Sequence, residues 1–517
     1  MATIFAGYSQ GLNHYEVDPA VAKMMRAVIP VDYEDRLRQM GALAGSEVLE
    51  VGQAVDRAGT VELRSHDIDG NLVDEAVIST EHHRLYERLR SMIATPETPA
   101  GFVGHFAEGY LLADPGFYCL ITLSTQVATA LRELHHTPKL LLDRLYHGPS
   151  WGATWFTEAN AGSDLGATLT RATANNGEYL LDGGDKYFAS GAGLADLAIA
   201  GARIEERPGV KGLGLFLVEK SRPDGTLNFR VLRLKDKLGT RGIPTGEVEL
   251  AGTRATLLAG PGEGIHRILE SLTLARVANS VASAGIARIA AMESTIRGSR
   301  RNAFGMPLAK HPLFARDLIE MRIEHLGIAA LGLQMAKYFH ELRTAPMPNS
   351  PDFLLLRFMS HITKVHTAQM AASITQRAME CFGGNGFIEE FPIARWHREA
   401  LVLPIWEGTA NVHALDASEA AARMKSFDSV TEELAGPVPA KLRPGYSKRL
   451  QLLLATLVEQ PWERKVAVAE IGTLARASAL YRFAEAEPAL EALANLALNN
   501  EQPASAFRLD PALQFDL

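Results

Sequence analysis

The sequence predicts an α+β chain of several domains: helices first, then a β domain, then a helical bundle and a helical tail. Two observations carry that prediction. Apolar residues recur at three- and four-residue spacing from about 80 to 148 and again from 264 onward. Between these stretches, from Trp151 to about residue 260, the runs are short, alternate in polarity and are broken by glycine, asparagine and proline. With 517 residues, 47% of them hydrophobic, the chain has room for about three or four domains and their cores.

The elements follow in order. Residues 1–150 read as an N-terminal extension and a helical domain. Within them "TVELRSHDIDGNLVDEAVIS" alternates and turns at Asp69-Gly70, a hairpin-like excursion. "EHHRLYERLRSMIAT" and "VATALRELHHTPKLLLDRLYHG" then take up helical spacing. Residues 151–260 form the antiparallel β domain, with "GLGLFLVEK", "LNFRVLRL" and "GEVELAGTRATLLAG" as strands. Residues 261–430 hold four long helical segments, roughly 264–300, 312–345, 352–382 and 408–426, whose short links point to a bundle. "AGPVPAKLRPG" interrupts the pattern, and residues 431–517 read as a helical tail rich in leucine and alanine.

Net charge is −8, which argues against a polyanion as the default partner. Cys119 and Cys381 lie far apart, so they provide neither a disulfide framework nor a CxxC site and fit a reducing compartment. "MATIFAGYSQGLNHYEVDPAV" lacks the basic start and apolar core of a leader. No stretch approaches the ~20 apolar residues that span a bilayer. The expectation is a soluble cytoplasmic protein. His361 and His366 are five apart, and His82-His83 and His135-His136 are adjacent, so none has ligand spacing on a helix face and no metal is expected.

Four segments carry chemistry. "WFTEANAGSDLGA" (155–167) gathers Thr157, Glu158, Ser163 and Asp164 around small residues. That is either an ordinary polar turn or a nest of amides and hydroxyls able to cradle phosphate. It is not a nucleophile elbow, because GxSxG is absent. "GGDKYFASGAG" (183–193) sets an aromatic pair before Ser190, suited to core packing or to stacking on a planar ring. Gly191-Ala192-Gly193 lacks the third glycine and the helix of a dinucleotide fingerprint. "MECFGGNGF" (379–387) ends a helix with two glycines: one serves as a cap, and the pair with Asn385 permits close approach of a ligand. "LPIWEGTANV" (403–412) sets Glu407 between an indole and a glycine. A carboxylate there is either a turn cap or an acid/base in an apolar pocket walled by Ile405 and Trp406.

In order and wording these segments resemble the acyl-CoA dehydrogenase flavoprotein family. "TEANAGSD", "DGGDKYFAS", "KLGTRGIPT", "GEGI", "RNAFGMPL", "FGGNGFIEEFPIARWHREA" and "IWEGTANV" are collinear with its motifs over about residues 80 to 425. The flanks "HYEVDPAV" and "SHDIDGNLVDEAV", the tail, and Trp406 and Asn411 are similar to its AidB-like branch, named for an alkylation-response protein. The resemblance implies an N-terminal helical domain, a middle antiparallel β-barrel and a C-terminal four-helix bundle, assembled as a homotetramer. It implies FAD between the β domain and the bundle, with Trp155, Phe156 and Ala189 among its contacts. Thr157 would meet the flavin pyrimidine edge, Ser163 the pyrophosphate, and Ser190 the region of flavin N5, while Phe188 replaces the usual stacking tryptophan. Arg301, Phe304 and Gly384 match positions that hold the adenosine end across a subunit interface, and Thr409 and Asn411 match further FAD contacts. The chain departs from the family where TEP becomes Thr157-Glu158-Ala159, where Pro312 replaces a common glutamine, and where Glu380 replaces another near the expected adenosine site.

Glu407 falls on the family's general base. The implied reaction is α,β-dehydrogenation of an acyl-CoA thioester. Glu407 removes the α-proton, its own N–H helps polarise the thioester carbonyl, and the β-hydride passes to flavin N5. An electron acceptor, with electron-transfer flavoprotein the candidate, completes the cycle. The alternative is an AidB-like stress-response flavoprotein with weak dehydrogenase activity that binds DNA or a partner. The tail weighs against DNA: residues 431–517 carry nine Lys/Arg against eleven Asp/Glu, a net of −2. Its one basic run, Lys441, Arg443, Lys448 and Arg449, is flanked by Glu432, Glu433 and Glu459. Arg276 reads either as a pocket residue or as half of a salt bridge.

Overall fold

The computed structural model describes residues 5–132, 139–204, 207, 209–343, 350–499, 501 and 508–517. The expected helical residues 133–138, with His135 and His136, lie outside these. In chain order, α1 (Pro19–Arg26), α2 (Glu34–Ala44) and α3 (Glu47–Ala58) precede β1 (Glu62–His66) and β2 (Leu72–Val77). Four helices follow: α4 (Thr80–Met92), α5 (Gly101–Leu112), α6 (Pro115–Arg132) and α7 (Lys139–His147). The middle strands are β3 (Gly152–Trp155), β4 (Arg171–Asn175), β5 (Glu178–Asp182), β6 (Gly184–Ser190) and β7 (Leu197–Arg203). They continue with β8 (Leu213–Glu219), β9 (Arg230–Leu234), β10 (Thr245–Leu250) and β11 (Thr253–Ala259). The C-terminal helices are α8 (Gly264–Arg300), α9 (Pro312–Leu342), α10 (Pro351–Phe382), α11 (Pro392–Val402) and α12 (Ala410–Arg423). The tail adds α13 (Asp428–Ala435), α14 (Arg443–Glu459), α15 (Arg464–Phe483) and α16 (Leu490–Asn499).

The chain divides into two compact units. The helical unit comprises Met1–Gln53, Ile93–Pro115 and Arg276–Leu517; the β unit comprises Ala54–Met92 and Gly116–Ala275.

In the β unit, β7, β4, β5, β11 and β8 pair in succession, and β8 also pairs with β7, which closes the sheet into a barrel-like ring. A second sheet has the order β6-β10-β9. The expected antiparallel pattern has an exception: β3 runs parallel to β7 from Gly152↔Leu197 to Trp155↔Ala200, and β4 meets β7 in parallel at Arg171↔Arg203. Three strands lie between β3 and β7 in sequence, a crossover long enough to return the chain in the same direction. Strands β7 and β8 are buried at six of seven positions each, so they read as apolar runs, with the alternation of a half-exposed strand lost. Trp155, Phe216, Val218 and the alanines 198, 200 and 202 fill the core. The hairpin turns where expected: the Asp67 carboxylate accepts from the amides of Asp69 and Asn71, and Gly70 takes φ 82°.

In the helical unit α10 packs against α9, α11, α12 and α15. Most of its residues are buried on every side, the pattern of a central helix rather than a surface one. Ser350 caps its start by accepting from the Phe353 amide at 3.2 Å, with Pro351 in the first turn, and Gly383 ends it at φ 59°. The four expected long segments correspond to α8, α9, α10 and α12, and α11 stands between the last two as an additional helix. The N-terminal segment is tied to α9, where Arg322 donates to both Asp18 carboxylate oxygens at 2.8 and 2.6 Å. Among the described residues no helix is long and apolar enough to cross a membrane.

Candidate active site

The link from α11 to α12 carries Glu407, three residues before the helix begins. Its φ is 57°, followed by φ 110° at Gly408. The left-handed region costs a residue with a Cβ about 1–2 kcal/mol, and such strain persists only where the surroundings impose it. Here three side chains do so. Arg276 on α8 donates from Nε to the Glu407 carbonyl at 3.3 Å. Lys364 on α10 donates from Nζ to the Gly408 carbonyl at 2.6 Å. Asn279, one turn beyond Arg276, donates to the Leu403 carbonyl at 3.0 Å. A Cβ on Gly408 would lie 3.1 Å from His413 Nε2, so the bend needs glycine both for its φ and for space.

Glu407 as a residue is half-buried, but its Oε2 is enclosed and has no hydrogen-bond partner. Burial pushes its carboxyl up from the ordinary glutamate value, and the charges of Arg276 and Lys364 pull it part of the way back. Behind the link, His361 and His413 meet through their Nδ1 atoms at 2.8 Å. His361 Nε2 lies 3.7 Å from Asp416 Oδ2, and Arg276 lies 3.8 Å from the same oxygen. Burial holds both imidazoles well below the usual histidine value. Arg276 therefore forms the salt bridge that is one of its two sequence readings, and it also braces the Glu407 backbone. The expected apolar walls are only partly present. Trp406 is half-buried with its Nε1 enclosed and without a partner, whereas Ile405 is 61% exposed. The charged groups that act on the carboxylate are Arg276 on α8 and Lys364 on α10.

Other sequence-derived residues fall into separate groups. In the β unit the Thr157 carbonyl accepts from the Tyr187 amide at 2.9 Å, which sets Thr157 beside β6. Trp155 and Ala189 lie in the barrel core, and the Trp155 indole donates to the Ser190 carbonyl at 3.4 Å. Phe156 is buried in a neighbouring apolar cluster with Leu197, Ile199 and Ile268. Ser190 Oγ lies 3.3 Å from Thr245 Oγ1, and Phe188 is 56% exposed with the Lys235 ammonium 4.9 Å from its ring. Ser163 is exposed in the loop before Asp164, whose carboxylate accepts from the Gly166 amide at 2.8 Å.

In the helical unit, Arg301 and Phe304 sit on the short hairpin Asn302–Ala303/Met306–Pro307, with Phe304 97% exposed. Gly384 is exposed in the turn after α10, with open space where a Cβ would be. The ends of α8 and α10 are joined by Arg297, which donates to the Phe382 carbonyl at 2.9 Å. Thr409 and Asn411 are exposed at the start of α12, on the same link as Glu407. Exposed aromatic faces, exposed hydroxyls and a glycine with open space suit a flavin dinucleotide. Sequence reasoning misses Lys364, Asp416 and the His361–His413 contact, because metal-ligand spacing is the wrong criterion for histidines that meet each other. A usable signal is present: His361 and Lys364 lie three apart and so share one face of α10.

Comparison with known proteins agrees with this architecture. Residues 153–253 match the acyl-CoA dehydrogenase middle domain and residues 262–422 its C-terminal domain. The chain belongs to the acyl-CoA dehydrogenase family. Residues 7–148 match the adaptive response protein AidB N-terminal domain, which places the chain on the AidB-like branch. It is 29% identical to the putative acyl-CoA dehydrogenase AidB of Escherichia coli K12 over 407 residues, 74% of this chain and 73% of that protein. It is also 29% identical to acyl-CoA dehydrogenase family member 11 of Caenorhabditis elegans over 434 residues, 78% of this chain and 70% of that one. The crystal structure of Caenorhabditis elegans ACDH-11 in complex with C11-CoA superposes with a TM-score of 0.84 at 25% identity, covering 96% of this chain and 92% of that one. An acyl-CoA dehydrogenase complexed with FAD from Bacillus anthracis has a TM-score of 0.66 at 18% identity, covering 81% of each chain, and shows the shared fold alone.

Proposed function

We propose that this chain is an FAD-dependent acyl-CoA dehydrogenase that oxidises the α,β-bond of an acyl-CoA thioester, with Glu407 as the base. One observation carries the reading: an enclosed carboxylate oxygen without a partner, on a backbone held at φ 57°. A general base needs a free lone pair and a dry setting that raises its proton affinity. Glu407 takes the α-proton, and burial favours the neutral carboxyl once the proton has arrived. Arg276, Asn279 and Lys364 hold the link in place, and the Glu407 amide is offered to the thioester carbonyl. FAD, when bound, supplies the hydride acceptor.

The proposed cofactor contacts are Trp155, Phe156, Thr157, Ser163, Phe188, Ala189, Ser190, Arg301, Phe304, Gly384, Thr409 and Asn411. The C11-CoA complex of the Caenorhabditis elegans relative supports the substrate class, and the cofactor follows from membership of the acyl-CoA dehydrogenase family. A homotetramer is part of the proposal, in which Phe304 and Phe387, 97% and 85% exposed, are residues that a partner subunit would cover. Electrons leave to an acceptor such as electron-transfer flavoprotein. The DNA-bound alternative gains nothing from the tail, where Arg443 donates to the Gly436 carbonyl at 2.8 Å and Arg449 pairs with Glu470.

The test is anaerobic stopped-flow bleaching of the flavin against short, branched, long and aromatic acyl-CoAs. Glu407→Gln should keep its flavin and lose about 10²-fold or more in reduction rate, and a variant within about threefold of wild type would remove Glu407 from the role of base.

A further inference from the structure

Lys364 sits in the middle of α10 with no exposed surface. A buried ammonium is costly unless a carboxylate or several acceptors offset it. Its Nζ donates to the Gly408 carbonyl. The charged and titratable groups that act on it or on its immediate neighbours come from four elements: Arg276 on α8, His361 and Arg357 on α10, Glu407 on the link, and His413 and Asp416 on α12. Burial holds the two imidazoles neutral. Asp416 lies against Arg276 and His361. Among the described residues, the carboxylate left to balance the lysine is Glu407. Burial pushes the Lys364 ammonium down to about 7, with Glu407 drawing it up and Arg276 pressing it further down.

Resting on the reading of Glu407 as the base, we propose that Lys364 is a positioning residue for proton abstraction. Its ammonium pins the 407–408 backbone through the Gly408 carbonyl and adds to the charge of Arg276 in favouring the ionised Glu407 carboxylate, the form able to take a proton, inside a dry pocket. A purely structural lysine would brace the loop without setting the protonation state of its neighbour.

The experiment is an infrared pH titration of the holoprotein, following the protonated-carboxyl band assigned to Glu407 by its absence in Glu407→Gln. Lys364→Met and Lys364→Gln remove the charge, and Gln keeps a donor for the Gly408 carbonyl. In both, the Glu407 midpoint should rise by about one pH unit or more, the scale of losing a nearby opposite charge. Lys364→Arg should hold it near the wild-type value. The acid limb of the flavin-reduction profile should move with the infrared midpoint. An unchanged midpoint in either folded charge-free variant overturns the proposal, as does an equal rise in Lys364→Arg. The infrared arm needs no substrate turnover. If the midpoint shifts as stated but no acyl-CoA bleaches the flavin, the dehydrogenase reading fails while the charge coupling stands.

Discussion

Glu158 in the β unit and Glu407 in the helical unit are both shielded carboxylates close in space to a fully buried lysine, and they are built in opposite ways. Glu158 accepts from Lys186 Nζ at 2.6 Å, from the Leu169 amide at 2.6 Å, and from both the amide and the hydroxyl of Thr170. Burial alone would push its carboxyl up, but the Lys186 charge and these hydrogen bonds outweigh burial and hold it below the ordinary value. Glu407 has an enclosed oxygen with no donor, and its lysine is turned to a backbone carbonyl. Its carboxyl is pushed up. A glutamate whose lone pairs are all engaged fastens strands together. One left unengaged in the same protein is free to meet a proton from outside.

The comparison breaks first if the Glu158 pair proves dispensable. Glu158→Gln should destabilise the β unit by about 3–5 kcal/mol, because it leaves the Lys186 ammonium buried without its counter-charge. Lys186→Met should cost a similar amount, and the double variant should lose less than the two together. Urea unfolding midpoints measure all three. A loss below about 1 kcal/mol for Glu158→Gln, the scale of an exposed pair, would mean that the network contributes little. Glu407→Gln in the same assay should cost less than Glu158→Gln, since the site offers that oxygen no donor to lose and Lys364 keeps the Gly408 carbonyl as its acceptor.

A smaller effect follows from the opposite signs of the two shifts. Glu158 is held below its unfolded value, so its contribution is present above the unfolded pKa and is lost as pH falls through the folded one. Glu407 is held above its unfolded value, so its contribution is present below the unfolded pKa and is lost as pH rises through the folded one. Relative to wild type, Glu407→Gln should therefore gain stability as pH rises past the ordinary glutamate range. Glu158→Gln should be penalised most at neutral pH and least in acid. Unfolding midpoints across a pH series test the crossing, and parallel profiles for the two variants would refute it.

Some of this is plain in the sequence. Helical and alternating periodicity locates the middle strands and the four long C-terminal helices, because burial of one face leaves a period that can be read locally. The Asp67–Asn71 turn and the Ser350 cap are equally local. The β3–β7 parallel pairing is not legible, since it joins residues that no periodicity relates. Glu407 itself is visible as a motif, but its bracing is not. Lys364 and His413 stand 43 residues before it and six after it in the numbering, and only packing of α10 against α12 brings them to the same link. Glu158 reads as part of a polar turn; its partner Lys186 lies on another strand, and nothing in "WFTEANAGSD" announces a buried ion pair.

The smallest expected effect concerns the backbone beneath Glu407. Its φ of 57° suits glycine and penalises any residue with a Cβ. Glu407→Gly should therefore be more stable than Glu407→Ala by about 1 kcal/mol, after allowing for the greater freedom of glycine in the unfolded chain. Both variants remove the carboxylate, so the comparison isolates conformation from charge. At the ordinary helical Glu419, exposed on α12, the same pair of substitutions should reverse in sign, with alanine the more stable. If alanine is also the more stable at 407, the link is not held in the left-handed region in solution. The bracing assigned to Arg276, Asn279 and Lys364 would then lose its purpose. If glycine wins at 407 and loses at 419, the carboxylate is presented by a strained backbone that Glu158, whose φ lies outside the left-handed region, has no need of.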